Sequence, residues 1–265
     1  MICALFVTYF RKKPQSKAYT VLKTKLDVIC LSLLKRFLPQ LVIVITVSLI
    51  SSLGYVKQGV KAAQGEVALK KTVIIDAGHG EFDGGAVSVD GTSEKDINLI
   101  IAKKVADSLT LLGYEVYMTR QDDTALDEDK ESKIQKRKKS DMQKRLSLIN
   151  SGDYDICVSI HLNKFTTSVP NGAQVFYGVK NENSKPLAEA IQKSIKEKIQ
   201  SYNERVVKKG TKQTYLLYNA TIPMVIVECG FISNTEELAR LKSNEYQTKI
   251  ALCIAGGIND YFYSL

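Results

Sequence analysis

The sequence predicts a single α/β domain in which helices flank a largely parallel or mixed central sheet, preceded by an N-terminal transmembrane segment. From about Lys70 to the C-terminus, short apolar runs alternate with amphipathic stretches, which is the pattern of strands and helices in an α/β fold. The first strand, helix and strand of this stretch are joined by short segments. Before them, residues 37–56 form an uncharged run that follows several basic residues.

A βαβ unit opens the predicted domain. Residues 72–75 form a continuous apolar run, as expected for a strand buried on both faces, and residues 114–119 are predicted to be the second strand. The helix between them is predicted to begin after Ser93, with Asp96 as its capping-box partner, and to end at Gly113. One apolar stripe of this helix contains Ile97, Ile101 and Val105.

Three more strands and four more helices complete the predicted domain. The strands are predicted at 155–160, 173–177 and 222–227. The helices are predicted at about 142–150, 184–201, 235–241 and 245–261. The charged stretch 121–141, with acids first and bases after, is predicted to be a solvated loop that leads into the first of these helices.

The positive charge of the chain is concentrated at its N-terminus. The net charge is +9, but residues 1–60 hold nine Lys or Arg against one acid, Asp27, and so account for +8 of it. The predicted folded part, 61–265, keeps only +1. A nearly neutral domain lacks the basic face that duplex binding requires, so no nucleic acid partner is expected.

The uncharged run has the length of a membrane span. Twenty residues at helical rise reach roughly 30 Å, which matches the hydrocarbon core of a bilayer. The basic residues before the run are expected to stay in the cytoplasm, so the domain after it is expected to be extracytoplasmic. The predicted organisation is a basic cytoplasmic segment at 1–37, a transmembrane anchor or signal at 38–56, a linker at 57–70 and a folded domain at 71–265.

Two other interpretations of this run stay open. A buried core helix would leave the charge asymmetry on its two sides unexplained. A cleaved signal would need a processing site, and Val60-Lys-Ala62 is a weak one. An uncleaved anchor is therefore favoured, which makes the membrane a partner of the protein.

The five cysteines show no Cys-x-x-Cys spacing. Three of them, Cys157, Cys229 and Cys253, follow the predicted membrane segment and lie in apolar surroundings. An odd number in such surroundings predicts buried free thiols rather than a disulfide framework.

Both histidines of the chain follow predicted strands. His79 lies in a glycine-rich turn after the first strand, and His161 directly follows the third. In an open α/β sheet, sites form outside the carboxyl ends of the strands, so both imidazoles are expected to face one crevice. Imidazole is the commonest zinc ligand, and a catalytic zinc ion takes three protein ligands.

Acidic residues near this edge are candidates for the third ligand and for a base. Glu94 lies in the first turn of the predicted crossover helix, on its inward stripe, while Asp76, Glu81 and Asp83 compete with it from the turn. Glu228 ends the fifth strand and could act as general base on a zinc-bound water.

Each of these residues also has an ordinary explanation. Gly-His-Gly turns occur without metal, Glu94 suits the dipole of a helix N-terminus, and Glu228 could be a solvated strand end. The convergence of both histidines and both acids on one sheet edge favours a zinc hydrolase.

Five motifs carry a resemblance to a known family. They are Val73-Ile-Ile-Asp-Ala-Gly-His-Gly80, the pair Gly84-Gly85, Ser93-Glu-Lys-Asp-Ile-Asn98, Val158-Ser-Ile-His-Leu-Asn163 and Pro223-Met-Val-Ile-Val-Glu-Cys-Gly-Phe-Ile-Ser-Asn234. In this order they resemble the zinc-dependent N-acetylmuramoyl-L-alanine amidases of the amidase-3 family. The resemblance covers about Lys71 to Tyr261.

This resemblance implies an activity and a site. By motif position it implies that His79, Glu94 and His161 bind Zn²⁺ and that Glu228 is catalytic. The implied reaction is hydrolysis of the amide bond between the lactyl group of N-acetylmuramic acid and L-alanine in peptidoglycan. The implied partner is a glycan strand with its stem peptide, and no residue is assigned to bind it. Cys229, where many members have an apolar residue, is a departure without evident chemical consequence.

The organisation of the chain is similar to one branch of that family. A compact domain behind a membrane anchor, without cell-wall-binding repeats, resembles the germination-specific amidases of spore-forming bacteria, which help to make the muramic-δ-lactam of spore cortex. Residues 164–172 are too few to hold the inhibitory helix that some division amidases carry at this point. Regulation is therefore expected from synthesis, location or an accessory or activating protein.

Two other functions remain as alternatives. A zinc peptidase that acts on the stem peptide would use similar ligands, but it should need an arginine for a terminal carboxylate, which the motifs do not supply. A non-catalytic cell-wall-binding module would have no need for all four polar site residues.

Overall fold

The computed structural model of the protein describes residues 70–264, together with Val28 and Leu31. The chain divides into two compact units, Met1–Ala68 and Leu69–Leu265. The predicted basic segment 1–37, membrane segment 38–56 and linker 57–70 lie almost wholly outside the described residues, and they stay predictions. Among the described residues, no helix is both long and apolar enough to cross a membrane.

Six strands and six helices make up residues 70–264. In chain order they are β1 (Thr72–Ala77), α1 (Glu94–Leu111), β2 (Glu115–Met118), α2 (Ile134–Ser151), β3 (Ile156–Asn163), β4 (Gln174–Tyr177), α3 (Ser184–Lys198), β5 (Lys208–Lys209), α4 (Tyr215–Asn219), β6 (Met224–Phe231), α5 (Thr235–Lys242) and α6 (Asn244–Tyr263).

The strands form one mixed sheet in the order β2-β1-β3-β6-β4-β5. β2, β1, β3 and β6 are parallel to one another, as the βαβ pattern predicts. β4 runs antiparallel to β6, and β5 runs parallel to β4. The carboxyl ends of β1, β3 and β6 and the amino end of β4 therefore lie along the same edge of the sheet.

Helices cover both faces of this sheet, which confirms the predicted α/β fold. Successive residues of a strand point to opposite faces. Val73 and Ile75 accordingly belong to the apolar core that also contains residues of α1, α3, α5 and α6, whereas Ile74 belongs to a second core that contains residues of α2 and α4. The central strands are buried on both sides, which is why they appear in the sequence as continuous apolar runs. The predicted stripe of α1 is buried, and Cys157, Cys229 and Cys253 are buried free thiols as predicted.

The prediction of a loop through residue 141 was wrong, because α2 already begins at Ile134. The inward side chains of its first half are charged and held by pairing rather than by apolar contact. Arg137 Nε lies 3.0 Å from Asp127 Oδ2, and Asp141 Oδ2 accepts from Arg145 Nε at 2.7 Å. A helix whose buried face carries ion pairs lacks the periodic apolar residues from which a helix is predicted in a sequence.

The capping box predicted at the start of α1 was also wrong. Ser93 occupies the N-cap position, but its side chain makes no capping hydrogen bond, so Asp96 is not a box partner. Instead, the backbone N–H groups of Glu94 and Lys95 donate to the carbonyl oxygens of Ala86 and Gly84, at 2.9 and 3.2 Å. The glycine-rich turn itself thus satisfies the helix N-terminus and fixes where Glu94 lies.

The shortest strand and the shortest helix of the described residues were not predicted. β5 has two residues and α4 has five, too few to produce a periodic signal. The helix predicted at 184–201 corresponds to α3, which ends at Lys198. The remaining elements lie where the sequence predicts them, with ends that differ by a few residues.

Candidate active site

Neighbouring parallel strands bring two of the predicted site residues side by side. β3 and β6 extend beyond their predicted ends, so His161 and Glu228 lie inside these strands rather than after them. The two residues are direct register partners, and a β-bulge shifts the register before the next pair, Asn163 and Phe231. Partners on adjacent strands point to the same face, so the imidazole and the carboxyl group are neighbours.

The turn after β1 brings His79 to the same edge in a left-handed conformation, with a φ of 64°. Backbone hydrogen bonds exchanged between Gly80 and Asp83, at 3.0 and 2.9 Å, close the turn. Gly78 is required here, because a Cβ at this position would lie 2.3 Å from Cε1 and Nε2 of His161. The backbone at Gly78 thus packs directly against the imidazole of His161, and the next residue, His79, places the second imidazole at the site.

His79, Glu94 and His161 converge on one point. Glu94 Oε1 lies 3.3 Å from His79 Nε2 and 3.0 Å from His161 Nδ1. One ligand atom from each of the three residues lies within 4.8 Å of the others, and the imidazole centroids are 4.9 Å apart. The structure therefore brings together the three residues that the sequence proposes as metal ligands.

The carboxylate of Glu94 is buried and held by backbone donors. Its Oε2 accepts a hydrogen bond from Ala86 N at 2.8 Å, and its Oε1 accepts from Leu162 N at 3.0 Å. Asn98 Nδ2, one helical turn along α1, donates to Oε1 at 3.2 Å. Burial opposes ionisation, but the hydrogen bonds to the two histidines outweigh it and hold the pKa of Glu94 well below its ordinary value. The group is a fixed anion.

Asp83 orients His79 from the side opposite Glu94. Its Oδ2 lies 2.8 Å from His79 Nδ1, and its Oδ1 lies 2.7 Å from Lys138 Nζ. Burial opposes the charged imidazole, but the bonds to Asp83 and Glu94 raise the pKa of His79 to about 9. With Nδ1 held by Asp83, Nε2 is the nitrogen that faces Glu94. This is the carboxylate–histidine arrangement found behind many metal-bound imidazoles.

The other acids considered for the site are engaged elsewhere. Asp76 points to Arg145, Ser159 and Thr119, and it makes no contact with either imidazole. The Glu81 carboxylate lies 3.7 Å from Arg137 Nη2. Within the described residues, only one group of three potential ligands has metal-binding spacing, and it contains Glu94 and neither of these acids.

Glu228 has a buried carboxyl oxygen without a bonding partner. Its Oε2 accepts no hydrogen bond from any described residue, although the residue as a whole is partly exposed. Burial raises the pKa of Glu228 to about 7, and the nearby charges of His161 and His79 only partly oppose this. A buried polar atom is rarely left without a hydrogen bond. Ionisable groups whose pKa values are strongly shifted cluster at functional sites.

Two buried arginines hold the turn that carries His79. Arg145, on α2, lies 2.6 Å from Asp76 Oδ1 and donates to the carbonyl oxygens of Ala77 and His79, the latter at 2.6 Å. Arg120 donates to the carbonyl oxygens of Ala77 and Gly78, at 2.9 and 3.0 Å. Neither arginine was predicted. The left-handed turn is thus fixed by charged donors from outside it.

The ion pair of Asp76 predicts how stability depends on pH. Burial opposes ionisation of Asp76, but Arg145 and the hydroxyl groups of Ser159 and Thr119 outweigh it and lower its pKa to about 2, from an ordinary 3.8. A carboxyl whose pKa is lower in the folded state stabilises the fold above the unfolded pKa. This contribution, about 2 kcal/mol, is lost as the pH falls from about 4 to about 2.

Urea denaturation between pH 2 and pH 7 would measure this effect in the wild type and in Asp76→Asn. The variant should be the less stable protein at pH 7, and the difference should shrink below about pH 4. A difference that does not change with pH would contradict the ionised state assigned to Asp76.

The donor set fits a zinc ion. Two imidazoles and one carboxylate are the three protein ligands of several catalytic zinc sites, and borderline nitrogen and oxygen donors suit that metal. A cation among these residues would displace the proton that pairs His79 with Glu94, as metal binding to histidine ordinarily does. The orphaned Glu228 Oε2 adds an acceptor beside the donor set.

The class that this fold and site define is that of α/β metallohydrolases with a single metal ion. The family model for N-acetylmuramoyl-L-alanine amidase, Amidase_3, matches residues 73–260, which is more than half of the chain. The chain belongs to this family and is an N-acetylmuramoyl-L-alanine amidase. Zinc dependence is characteristic of the family's enzymes.

Several relatives resemble this chain over most of its described part. The germination-specific N-acetylmuramoyl-L-alanine amidase of Bacillus subtilis strain 168 is 36% identical over 192 residues, which cover 72% of this chain and 80% of that protein. The CwlD amidase from Clostridioides difficile, solved in complex with the GerS lipoprotein, has 39% identity and a TM-score of 0.71. That match covers 74% of this chain and all of the other. LytC of B. subtilis is 33% identical, but the match covers only 36% of it.

Proposed function

We propose that the chain hydrolyses the amide bond between the lactyl group of N-acetylmuramic acid and L-alanine in peptidoglycan, with zinc held by His79, Glu94 and His161. The observation that carries this proposal is the convergence of these three donors beside the unpaired Glu228 Oε2, on the fold of an amidase family. Membership of the family supports the activity, and the geometry supports the roles that we propose for these residues.

The surroundings of each site residue support a separate role in the proposed reaction. When bound, zinc polarises the amide carbonyl and lowers the pKa of a coordinated water toward about 7. Glu94 keeps its position and charge because backbone N–H groups and Asn98 hold it. Asp83 keeps the Nε2 atom of His79 turned toward the site, which removes the need to reorient the ring during the reaction.

Glu228 moves the proton. Its raised pKa, about 7, suits a group that must accept a proton and give it up again near neutral pH. We assign to Glu228 the removal of a proton from the attacking water and its delivery to the leaving nitrogen of L-alanine. This route forms the C–O bond, breaks the C–N bond and returns Glu228 to its ionised form, so no serine or cysteine nucleophile is required.

Mass spectrometry of muropeptides would test this proposal. Full-length protein with zinc, incubated with purified peptidoglycan, should release free stem peptides that begin with L-alanine, and a zinc chelator should stop the release. Cuts confined to the stem peptide would make the protein a peptidase. Binding without any cleavage would make it a wall-binding module. Either of these results would overturn the proposed reaction.

The biological setting that we propose is spore cortex formation. The relative of 36% identity is named as germination-specific, and the CwlD relative was solved with a lipoprotein, which supports both the cortex role and an accessory protein. Expression in a spore-former that lacks its own germination-specific amidase should restore muramic-δ-lactam in the cortex. Spores that still lack the lactam, despite confirmed expression, would count against this role.

The proposed location is outside the cytoplasmic membrane, with residues 38–56 as the anchor, 57–70 as a linker and 71–265 as the catalytic domain. The support is the basic excess before an uncharged run of membrane-spanning length. Protease added to intact protoplasts should digest the catalytic domain. Full protection of that domain would show that the orientation is wrong.

A further inference from the structure

The row of side chains that contains the site continues onto β4. Gln174 is the register partner of Glu228 across the antiparallel β4–β6 pair, just as His161 is its partner across β3–β6. Residues paired in this way share one face of the sheet. His161, Glu228 and Gln174 therefore form one row across three adjacent strands, with Gln174 at the end away from the histidines.

A guanidinium group is fixed beyond Gln174. Arg205 Nη1 donates to Gln174 Oε1 at 3.3 Å, and Arg205 Nε donates to Asn171 O at 2.8 Å. The guanidinium carbon lies 4.6 Å from the centroid of the Phe231 ring, which follows Glu228 on β6. Stacking together with two hydrogen bonds sets the plane of the group and lowers the entropy cost of binding a ligand.

Within residues 70–264, Arg205 has unused donors and no counter-ion. A guanidinium has five N–H donors, and the contacts to Gln174 and Asn171 use two of them. Among residues 70–264, no carboxylate lies within 4.0 Å of it, in contrast to Arg137 and Arg145, which are paired. The residue is only partly buried, so its free edge is accessible. A planar, pre-oriented arginine with free donors is suited to bind a carboxylate.

We infer that Arg205 binds the free carboxylate of the second residue of the stem peptide. This inference rests on the proposed function, and it names the part of the substrate that the arginine contacts. In peptidoglycan that residue is a D-glutamate linked through its side chain, which leaves the α-carboxylate free unless the wall amidates it. The glycan backbone beside the scissile bond carries hydroxyl and acetamido groups and supplies no competing anion there.

The spacing agrees with this assignment. Adjacent strands lie about 4.8 Å apart, so a group bonded to a β4 side chain lies on the order of 10 Å from His161. Two extended residues reach about 7 Å from the scissile nitrogen, and a hydrogen bond of about 3 Å between the carboxylate and the guanidinium spans the remainder. The same arginine would suit a terminal carboxylate in a peptidase, and the position of the cut distinguishes that case.

Two matched substrates would test Arg205. One muramyl peptide carries the α-carboxylate at its second residue, and the other carries the corresponding carboxamide. Wild-type full-length protein with zinc should cleave the carboxylate form with a kcat/KM about tenfold or more above the amide form, as expected for one charge-assisted hydrogen-bonded pair. Arg205→Gln should lose this preference, because its kcat/KM for the carboxylate form should fall by a larger factor than its kcat/KM for the amide form.

Lys208→Gln is the matched control, because Lys208 is an exposed cation on β5 whose register partner is Phe176 of β4. It should keep the wild-type preference, which excludes a general effect of net charge. Equal losses on both substrates in Arg205→Gln would mean that the residue is only structural, and no preference in the wild type would mean that no carboxylate is bound. Either result overturns the inference.

Calorimetry separates a failure of Arg205 from a failure of the proposed function. Both muramyl peptides can be titrated into zinc-loaded Glu228→Gln protein, with and without Arg205→Gln. If the wild type cleaves neither peptide, the proposed reaction is wrong, but a carboxylate preference in binding that depends on Arg205 would still support the site. Equal affinities for the two peptides would remove that support.

Discussion

Glu228→Gln should keep its zinc and its fold but lose turnover by about 10²-fold or more. The amide has nearly the size of the carboxyl group, but it cannot accept a proton at neutral pH. The packing around residue 228 on β6 should therefore change little, while the proton transfer assigned to Glu228 is blocked. Elemental analysis of the purified variant and turnover on wall fragments should be measured side by side.

Glu236→Gln is the control for this substitution. Glu236 is exposed in the first turn of α5, a few residues after β6, and its side chain touches no site residue. It should retain wild-type turnover. Near-normal activity in Glu228→Gln would remove the base assignment, and loss of zinc in that variant would mean that Glu228 is itself a ligand.

Glu94→Ala should lose zinc and activity together, and turnover should recover in part when excess zinc is supplied. The substitution removes the one carboxylate that lies between the two imidazoles, and it leaves the N–H groups of Ala86 and Leu162 without their acceptor. Zinc content at a buffered free-zinc concentration is the measurement. Recovery with added zinc is the result that separates a ligand from a base, since no zinc concentration should rescue Glu228→Gln.

Two further variants show whether loss of zinc in Glu94→Ala results from loss of a ligand or from loss of the folded structure. Glu94→Gln keeps the size and one acceptor oxygen, and it should still bind zinc more weakly than the wild type while its circular dichroism is unchanged. Glu81→Ala removes an acid from the same turn that lies outside the donor group, and it should keep full zinc content. If Glu94→Gln bound zinc as tightly as the wild type, Glu94 would not be a metal ligand.

The positions of the polar site residues could be predicted from the sequence because they depend on where the parallel strands end. Apolar runs locate the parallel strands, and parallel strands of one sheet end along a shared edge. His79, His161 and Glu228 were proposed on this basis, and Glu94 was proposed because the first turn of the crossover helix lies above the same strand ends. The structure places all four at that edge. Their roles remain predictions, since geometry alone does not measure metal binding or proton transfer.

The supporting residues could not be predicted in the same way. Arg145 and Asp76 are 69 residues apart in the chain, and nothing in the local pattern of either segment indicates that the two will meet. Residues 121–141, which include Arg137 and Asp141, were expected to be a solvated loop because their charges were taken to face water. Burial of paired charges follows from tertiary contacts, which hydrophobic periodicity does not report.

The sequence by itself determined the α/β class, the order of the main strands and helices, and the four polar residues of the site, because these depend on local apolar patterning and on motif spacing. Only the tertiary structure decided which nitrogen of His79 faces the site and which acid stands between the imidazoles. It also decided that Arg205 lies at the end of the row formed by His161, Glu228 and Gln174. These features depend on contacts between segments distant in the chain, and such contacts exist only once the sheet has set its strand order and register.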